Sequence, residues 1–335
     1  MAIYAKYPQC GIKMKKKVVL FSQIDPFIHE KLTDRFDLQV ILPKHGDVDQ
    51  QLLEYSQFAE GMIGAGRILN RKNLAQAKKL KIISSVSVGY DNYDLAFLNQ
   101  RKIWLAHTPH VLTESTADLA FTLLLSAARQ VPHLDAWTKQ GRWKKTIQPA
   151  QFGVDVFGKT LGIIGLGHIG AAVARRGFQG FNMNILYHSR KQKPEFAQSL
   201  QAQYCELDNL LQRSDFVVIA VDLNESSKAL MTAREFALMQ PHAVLVNISR
   251  GAVIDEAALV QAIQTQQIFA AGLDVYQQEP LQQSPLFDLE RVVTLPHIGS
   301  ATAETRFKMA ERAFENLCIA LDGRQPQYLV NPNFY

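Results

Sequence analysis

The fold is decided by the stretch "LGIIGLGHIGAAVARRG", residues 161–177. An apolar run typical of a buried strand leads through a glycine-rich turn into a helical pattern. Glycines allow a tight turn and a close approach of the main chain, and a helix that begins there offers free N–H groups and a positive dipole end to a phosphate. We therefore predict a dinucleotide site, rather than a glycine turn that binds nothing, at Gly165, Gly167, His168, Ile169 and Gly170.

Strand and helix patterns alternate on both sides of this stretch. Five short apolar runs with helical spacing between them precede it, and a series of six strands begins near Lys159. Repeated βα units build parallel sheets that helices cover on both faces. We predict an α/β protein of two Rossmann-like, doubly wound parallel-sheet lobes with an active-site cleft between them.

The last helical pattern, roughly 302–321, comes too late in the chain to connect strands of the second sheet. We expect the chain to return there to the first lobe. This predicts a substrate-binding domain at 1–108 and 304–335 and a dinucleotide-binding domain at 109–303. Residues 1–13 are expected to be an extension without a role in the fold. A helix is predicted from about 113, with Thr113 as its N-cap.

Composition limits the classes of function. Of the 335 residues 47% are hydrophobic and 20% charged, which is typical of a globular chain, and no apolar run approaches the roughly 20 residues that span a bilayer. The net charge of +5 is scattered, so we expect neither a nucleic-acid nor a membrane partner. Few and separated cysteines predict a reducing compartment, the cytoplasm, and neither a disulfide frame nor a metal site; they are Cys10, Cys205 and Cys318.

A second cofactor signal follows in "NILYHSRK", residues 184–191. At this distance from the glycine turn a strand end usually carries an acid, which accepts the ribose hydroxyls and repels a 2′-phosphate. The chain has His188, Ser189 and Arg190 instead, and a guanidinium and a hydroxyl suit a phosphate. We predict a preference for NADPH; the alternative is a solvated basic loop that accepts either cofactor.

Three reactive residues follow later strands, in "NISRGAVID", "LDVYQQEP" and "LPHIGS". Alone, Arg250 could form a surface ion pair, Glu279 could be a loop acid and His297 a core histidine. Ligand groups gather at the carboxyl ends of strands in open α/β sheets. Together they predict an acid/base pair and a clamp for an anion.

These motifs resemble the D-isomer-specific 2-hydroxyacid dehydrogenase family over nearly the whole chain. The resemblance rests on "SVGYDNYD", "TEST…LLLSAAR", "GKTLGIIGLGHIG", "NISRGAVIDEAALVQAI", "AAGLDVYQQEPL" and "LPHIGSATAETR". Within the family the chain is most similar to bacterial glyoxylate/hydroxypyruvate reductases that also act as 2-ketogluconate reductases. The resemblance implies reduction of glyoxylate, hydroxypyruvate or 2-ketogluconate, as small-molecule substrates, to D-2-hydroxy acids.

The resemblance also implies roles for single residues. His297 would donate a proton to the keto oxygen and Glu279 would pair with it. Arg250 would bind the substrate carboxylate and polarise the carbonyl. Val88 and Gly89 would offer backbone N–H groups to the same carboxylate.

Further cofactor contacts follow from the resemblance. Asp274 resembles the residue that holds the nicotinamide carboxamide, and the other implied contacts are Thr113, Ile248, Ser249 and Gly299. The chain departs from the family after "DFVVIAV", where Asp222 and Glu225 place negative charge near the proposed 2′-phosphate site. This departure keeps NADH possible as a cofactor.

Alternatives remain for the activity and the assembly. The activity could be that of an NAD-linked dehydrogenase of the phosphoglycerate or D-lactate type, or the fold could serve as a nucleotide-sensing, co-repressor-like scaffold. The predicted helix 113–129 is apolar on more than one face. This favours a homodimer, although a helix buried between the lobes would look the same.

Overall fold

The computed structural model describes residues 14–334. The described residues form two compact units, one of residues 14–109 and 306–334 and the other of His110–Thr305. The boundaries therefore lie at 109/110 and 305/306, where the sequence predicts 108/109 and 303/304. The predictions for residues 1–13, including Cys10, lie outside the described residues.

The first unit contains a five-stranded parallel sheet in the order β2-β1-β3-β4-β5. Its strands are β1 (Lys17–Leu20), β2 (Asp37–Val40), β3 (Gly61–Gly64), β4 (Ile82–Ser85) and β5 (Trp104–Ala106). Its helices are α1 (Pro26–Arg35), α2 (Val48–Ser56), α3 (Arg71–Leu74) and α4 (Leu95–Gln100). Sequence starts these helices locally: the Asp25 carboxylate accepts the N–H groups of Phe27 and Ile28, and Pro26 occupies the first turn of α1.

The second unit contains a seven-stranded parallel sheet in the order β12-β11-β10-β9-β6-β7-β8. Its strands are β6 (Thr160–Ile164), β7 (Asn184–His188), β8 (Gln203–Tyr204), β9 (Phe216–Ile219), β10 (Val244–Asn247), β11 (Ala270–Leu273) and β12 (Val292–Thr294). Its helices are α5 (Thr113–Ala128), α6 (Val131–Lys139), α7 (His168–Arg175), α8 (Pro194–Leu200), α9 (Leu207–Arg213), α10 (Ala233–Leu238) and α11 (Glu256–Gln264).

Successive residues of the central strands of this sheet point into two different cores. In β9, Phe216 and Val218 pack in the core that α5 and α7 share, whereas Val217 and Ile219 pack in the core of α9, α10 and α11. A strand buried on both faces is apolar throughout, as the run "FVVI" shows. Helices therefore cover both faces, and the predicted α/β class with two parallel sheets is confirmed.

The last helix, α12 (Ala303–Leu321), leads the chain into the first unit. The Ser84 hydroxyl donates to the Ala313 carbonyl over 2.7 Å. Beyond the helix, the Asn331 side chain accepts the Leu105 N–H over 2.7 Å and donates to the Ile103 carbonyl over 3.0 Å. The C-terminal residues thus hold β5 in place.

Three details differ from the prediction. The second sheet has seven strands rather than six, because β8 is two residues long and too short to show alternation. Leu112, not Thr113, is the N-cap of α5 and makes no side-chain cap bond, so Thr113 is the first helical residue. The helix α6 was not predicted, and none of its residues is buried.

The apolar faces of α5 have an explanation within the second unit. Its buried residues include Ala117, Phe121 and Leu124, and the helix packs against α7, β10, β11 and β12. The composition of this helix is therefore no argument for a second copy of the chain.

Residues 14–334 can be checked for membrane-spanning helices, metal-binding groups and disulfides. None of their helices is both long and apolar enough to cross a membrane. They include no group of three or more histidine, cysteine or acidic side chains that could hold a metal ion. The cysteines among them, Cys205 and Cys318, are free thiols.

Candidate active site

The structure brings two of the predicted reactive side chains into direct contact. His297 follows β12 and Glu279 follows the neighbouring strand β11. The Nδ1 atom of His297 lies 2.7 Å from Oε2 of Glu279. The other oxygen of Glu279 accepts the Tyr276 N–H over 3.0 Å, which fixes the carboxylate from its own loop.

The surroundings of Glu279 favour its charged form. The largest single effect on the pKa of Glu279 is burial, which raises it. The hydrogen bonds from His297 and the Tyr276 N–H and the positive charges of His297 and Arg250 act against it. Their sum holds the pKa of Glu279 below its ordinary value, so Glu279 is a carboxylate at neutral pH.

The main chain at His297 is held in an uncommon conformation. Its φ angle is 52°, in the left-handed region that side-chain-bearing residues rarely adopt. The next two N–H groups, of Ile298 and Gly299, donate to the two carboxylate oxygens of Asp274 over 2.7 and 2.9 Å. On the far side, the Ser115 hydroxyl donates to the Gly299 carbonyl over 3.0 Å. These bonds anchor the loop that carries the imidazole.

Asp274 is therefore an anchor for the His297 loop. Its side chain is 1% exposed. Burial raises its pKa, against the N–H groups of Ile298 and Gly299 and the charge of His297, which favour ionisation. The contact of Asp274 with a nicotinamide carboxamide stays a prediction.

Arg250 lies after β10 and is partly exposed. The side chain of Asn247 donates to its carbonyl over 3.0 Å, and its own Nη1 donates to the Ser249 carbonyl over 2.8 Å. A Cβ atom at the following Gly251 would come within 2.0 Å of the Tyr276 carbonyl oxygen, so only glycine lets these two segments approach. The approach packs the Arg250 segment against the one that leads to Glu279.

The glycine-rich turn has the shape of a phosphate cradle. Gly165 has a φ angle of 98°, and a Cβ atom there would lie 2.4 Å from the Ala220 carbonyl oxygen. At Gly170 the added atom would lie 2.1 Å from the Gly165 carbonyl oxygen, which shows close contact between the turn and α7. At Gly167, the residue before the first turn of α7, it would meet nothing within 4 Å. The open space at the helix N-terminus fits the pyrophosphate of a dinucleotide.

The strand end after β7 is tied to this turn. The Gly165 N–H donates to the His188 carbonyl over 2.8 Å, and the Leu166 N–H donates to the Ser189 hydroxyl over 2.9 Å. The His188 ring uses Nδ1 toward the Cys205 carbonyl, at 3.1 Å. Arg190 is exposed and makes neither a hydrogen bond nor an ion pair with another residue of the described chain.

The remaining predicted residues lie in several places. His168 is exposed, and its ring meets those of His110 and Phe196, with centroids 4.4 and 5.2 Å away. Ile248 and Ser249 are buried after β10, as is Gly299 after β12. Val88 and Gly89 belong to the other unit, in the loop after β4.

Sequence reasoning missed two residues that position the site. Asn247 is fully buried and accepts both the N–H and the hydroxyl of Ser249, in addition to holding the Arg250 carbonyl. Ser115 holds the carbonyl of Gly299. Asn247 could have been noticed as a polar residue at the end of an apolar strand. Ser115 lies in α5, far from Gly299 in the sequence, and no local pattern links the two.

Comparison with known proteins agrees with this geometry. Residues 121–299 match the model of the D-isomer specific 2-hydroxyacid dehydrogenase NAD-binding domain. The chain is 45% identical to glyoxylate/hydroxypyruvate reductase B of Citrobacter koseri, over 95% of this chain and 99% of that one. The corresponding protein of Klebsiella pneumoniae is 44% identical over the same shares.

Two solved structures are also similar. The TT0316 protein of Thermus thermophilus has a TM-score of 0.85 at 37% identity, over 94% of this chain and 99% of that one. The NADPH-dependent glyoxylate/hydroxypyruvate reductase of Sinorhizobium meliloti, in complex with NADP and malonate, has a TM-score of 0.83 at 30% identity, over 95% and 97%. The predicted resemblance is confirmed, and the chain belongs to the D-isomer-specific 2-hydroxyacid dehydrogenase family of NAD(P)-dependent oxidoreductases.

Proposed function

We propose that the protein reduces small 2-keto acids, namely glyoxylate, hydroxypyruvate and 2-ketogluconate, to D-2-hydroxy acids with NADPH. The observation that carries this proposal is the 2.7 Å contact of His297 Nδ1 with Glu279. The names of relatives that are 42–45% identical point to glyoxylate and hydroxypyruvate.

His297 acts as the proton donor. Because Nδ1 faces the Glu279 carboxylate, Nε2 is the nitrogen that can give its proton to a keto oxygen. The carboxylate accepts the hydrogen on Nδ1 both before and after the transfer. The anchored loop keeps this nitrogen in one place, so little reorganisation is needed in the reaction.

Arg250 binds the carboxylate of the keto acid. Its guanidinium can form two parallel hydrogen bonds to a carboxylate and withdraw charge from the adjacent carbonyl. The backbone N–H groups of Val88 and Gly89 bind the same carboxylate. A bound nicotinamide supplies the hydride.

The cofactor is held by the glycine cradle and by the strand end after β7. We propose cofactor contacts at Thr113, Gly165, Gly167, His168, Ile169, Gly170, His188, Ser189, Arg190, Ile248, Ser249, Asp274 and Gly299. The hydroxyl of Ser189 accepts the Leu166 N–H and keeps its own hydrogen to donate. With the exposed guanidinium of Arg190 it favours the 2′-phosphate of NADPH, while NADH remains usable.

We further propose that the protein is a homodimer. Segment 131–157 exposes large apolar side chains in the unit as described: Val131, Trp143, Ile147, Phe152 and Phe157. Apolar side chains concentrated in one surface segment are typical of an interface. In a symmetric dimer, the same segment of a second copy of the chain would cover these side chains.

We place the enzyme in the cytoplasm. The free thiols of Cys205 and Cys318 support a reducing compartment. The partners are then small molecules, a keto acid and a nicotinamide cofactor.

The test is the initial rate of NADPH oxidation and, separately, of NADH oxidation with each of the three keto acids over a concentration series. We expect turnover with at least one keto acid and a higher kcat/KM with NADPH than with NADH. Equal or better rates with NADH would refute the NADPH preference. Tight cofactor binding without turnover of any keto acid would favour the scaffold alternative.

A further inference from the structure

Two residues after β5 hold the loop that follows β4. The Thr108 N–H donates to the Ser87 carbonyl over 3.0 Å. Nδ1 of His107 lies 3.0 Å from the Val88 carbonyl oxygen. A carbonyl oxygen can only accept a hydrogen bond, so Nδ1 of His107 carries the hydrogen.

These two bonds set the direction of two N–H groups. A trans peptide is planar, and its C=O and N–H point in opposite directions. The Ser87 carbonyl shares its peptide with the Val88 N–H, and the Val88 carbonyl shares its peptide with the Gly89 N–H. Both N–H groups therefore point away from the segment after β5. Neither N–H group has a hydrogen-bond acceptor among residues 14–334. Both residues are partly exposed.

His107 is itself fixed by the first unit. Its N–H donates to the Tyr328 carbonyl over 3.0 Å, and its carbonyl accepts the Asn316 side chain over 3.1 Å. The Tyr90 ring meets the imidazole edge-on, with centroids 6.1 Å apart. The imidazole is thus a rigid support for the loop, and its main chain is anchored by the C-terminal residues.

We propose that His107 is a positioning residue that aims the Gly89 N–H at the carboxylate of the keto acid. The proposal rests on the proposed function, in which Val88 and Gly89 bind that carboxylate. Thr108 holds the peptide between Ser87 and Val88 through its main-chain N–H, which almost any residue would provide. His107 uses its side chain, so the orientation of the Gly89 N–H depends on the residue type at 107.

The test compares three replacements of one side chain. His107→Asn retains an N–H donor close to the position of Nδ1, His107→Gln places its donor one bond farther out, and His107→Leu has none. Hydroxypyruvate reduction is measured at saturating NADPH, together with competitive inhibition by malonate and the Kd for NADPH.

We expect His107→Leu and His107→Gln to raise KM for hydroxypyruvate and Ki for malonate about tenfold, with kcat changed less than about threefold. The carboxylate is bound in the ground state and the transition state alike, so losing this contact appears in KM. His107→Asn is expected to stay within about threefold of the parent enzyme in both constants. The Kd for NADPH is expected to be unchanged in all three.

Two results would overturn the role of His107 while leaving the proposed function intact. One is an unchanged KM in both His107→Leu and His107→Gln. The other is an Asn variant as impaired as the Gln variant, since the imidazole would then matter by packing and not as a donor. A parent enzyme that turns over no keto acid would instead refute the proposed function.

Discussion

At the scale of single residues, the main chain at His297 depends on Asp274, which is a different acid from the one that contacts its ring. A left-handed conformation at a residue other than glycine costs on the order of 1–3 kcal/mol. His297 adopts it with a φ angle of 52°, and the two N–H groups after it are bound by the buried carboxylate of Asp274. Asp274 thus stabilises the backbone, and Glu279 orients the ring.

Replacing Glu279 tests the proton donor. Glu279→Gln removes the carboxylate that contacts Nδ1 of His297. We therefore expect kcat/KM at neutral pH to fall about 10²-fold, and the loss of rate that accompanies protonation of Glu279 at low pH to be absent from the variant. In the parent enzyme the lowered pKa of Glu279 keeps the carboxylate ionised as the pH falls, until the pH reaches that pKa. The measurement is kcat/KM for hydroxypyruvate from about pH 9 down to the lowest pH, about 4, at which the protein stays folded.

The exposed residue Glu54 provides a matched control, since Glu54→Gln makes the same chemical change in the first unit. Its pH profile is expected to match that of the parent enzyme. A Glu279→Gln variant with an unshifted profile would contradict the role of the pair, whatever its absolute rate.

Replacing Arg190 tests cofactor selection. Loss of a charged hydrogen bond to the 2′-phosphate in Arg190→Ala is expected to raise KM for NADPH by about 10- to 100-fold. KM for NADH should change by less than about threefold, because NADH has no 2′-phosphate. Arg324→Ala, at an exposed arginine of the first unit, serves as control. An equal change with both cofactors would show that Arg190 does not read the phosphate.

At the scale of elements, the site is produced by the order of strands. Arg250, Glu279 and His297 follow β10, β11 and β12, which are neighbours in the sheet. All the strands run parallel, so the loops after them leave from the same edge. Residues separated by 47 positions in the sequence, 250 to 297, are thereby collected in one region.

The exposed apolar side chains of segment 131–157 allow a prediction at the scale of elements. Trp143 and Phe157 are 60% and 68% exposed in the structure. Replacing both with serine is expected to convert a homodimer into a monomer of 37.7 kDa, because the apolar area that holds the copies together is removed. Sedimentation velocity measures the masses of parent and variant.

Phe58→Ser is the matched control, since Phe58 is 53% exposed and lies outside segment 131–157. It is expected to leave the mass unchanged. A parent protein that sediments at the monomer mass would refute the homodimer. A double variant that stays dimeric would place the interface on another surface.

At the scale of the whole molecule, two parallel sheets and their order in the chain could be predicted from the sequence. Buried parallel strands are apolar runs, and the helices between them keep a period near 3.6. Two elements were missed. The helix α6 has no buried residue, and β8 has only two residues.

The same division holds for the candidate site. Residue types and their positions at strand ends are local properties of the sequence. The glycine turn, the basic cluster after β7 and the three residues predicted to be reactive could therefore be identified from the sequence alone. Tertiary structure decided which of them meet: the 2.7 Å contact of His297 with Glu279, the clamp of Asp274 on the His297 loop, and the hold of His107 on the Val88 carbonyl. Each joins residues from different loops. Their distances depend on strand order and on the exact path of the chain, which no short stretch of sequence encodes.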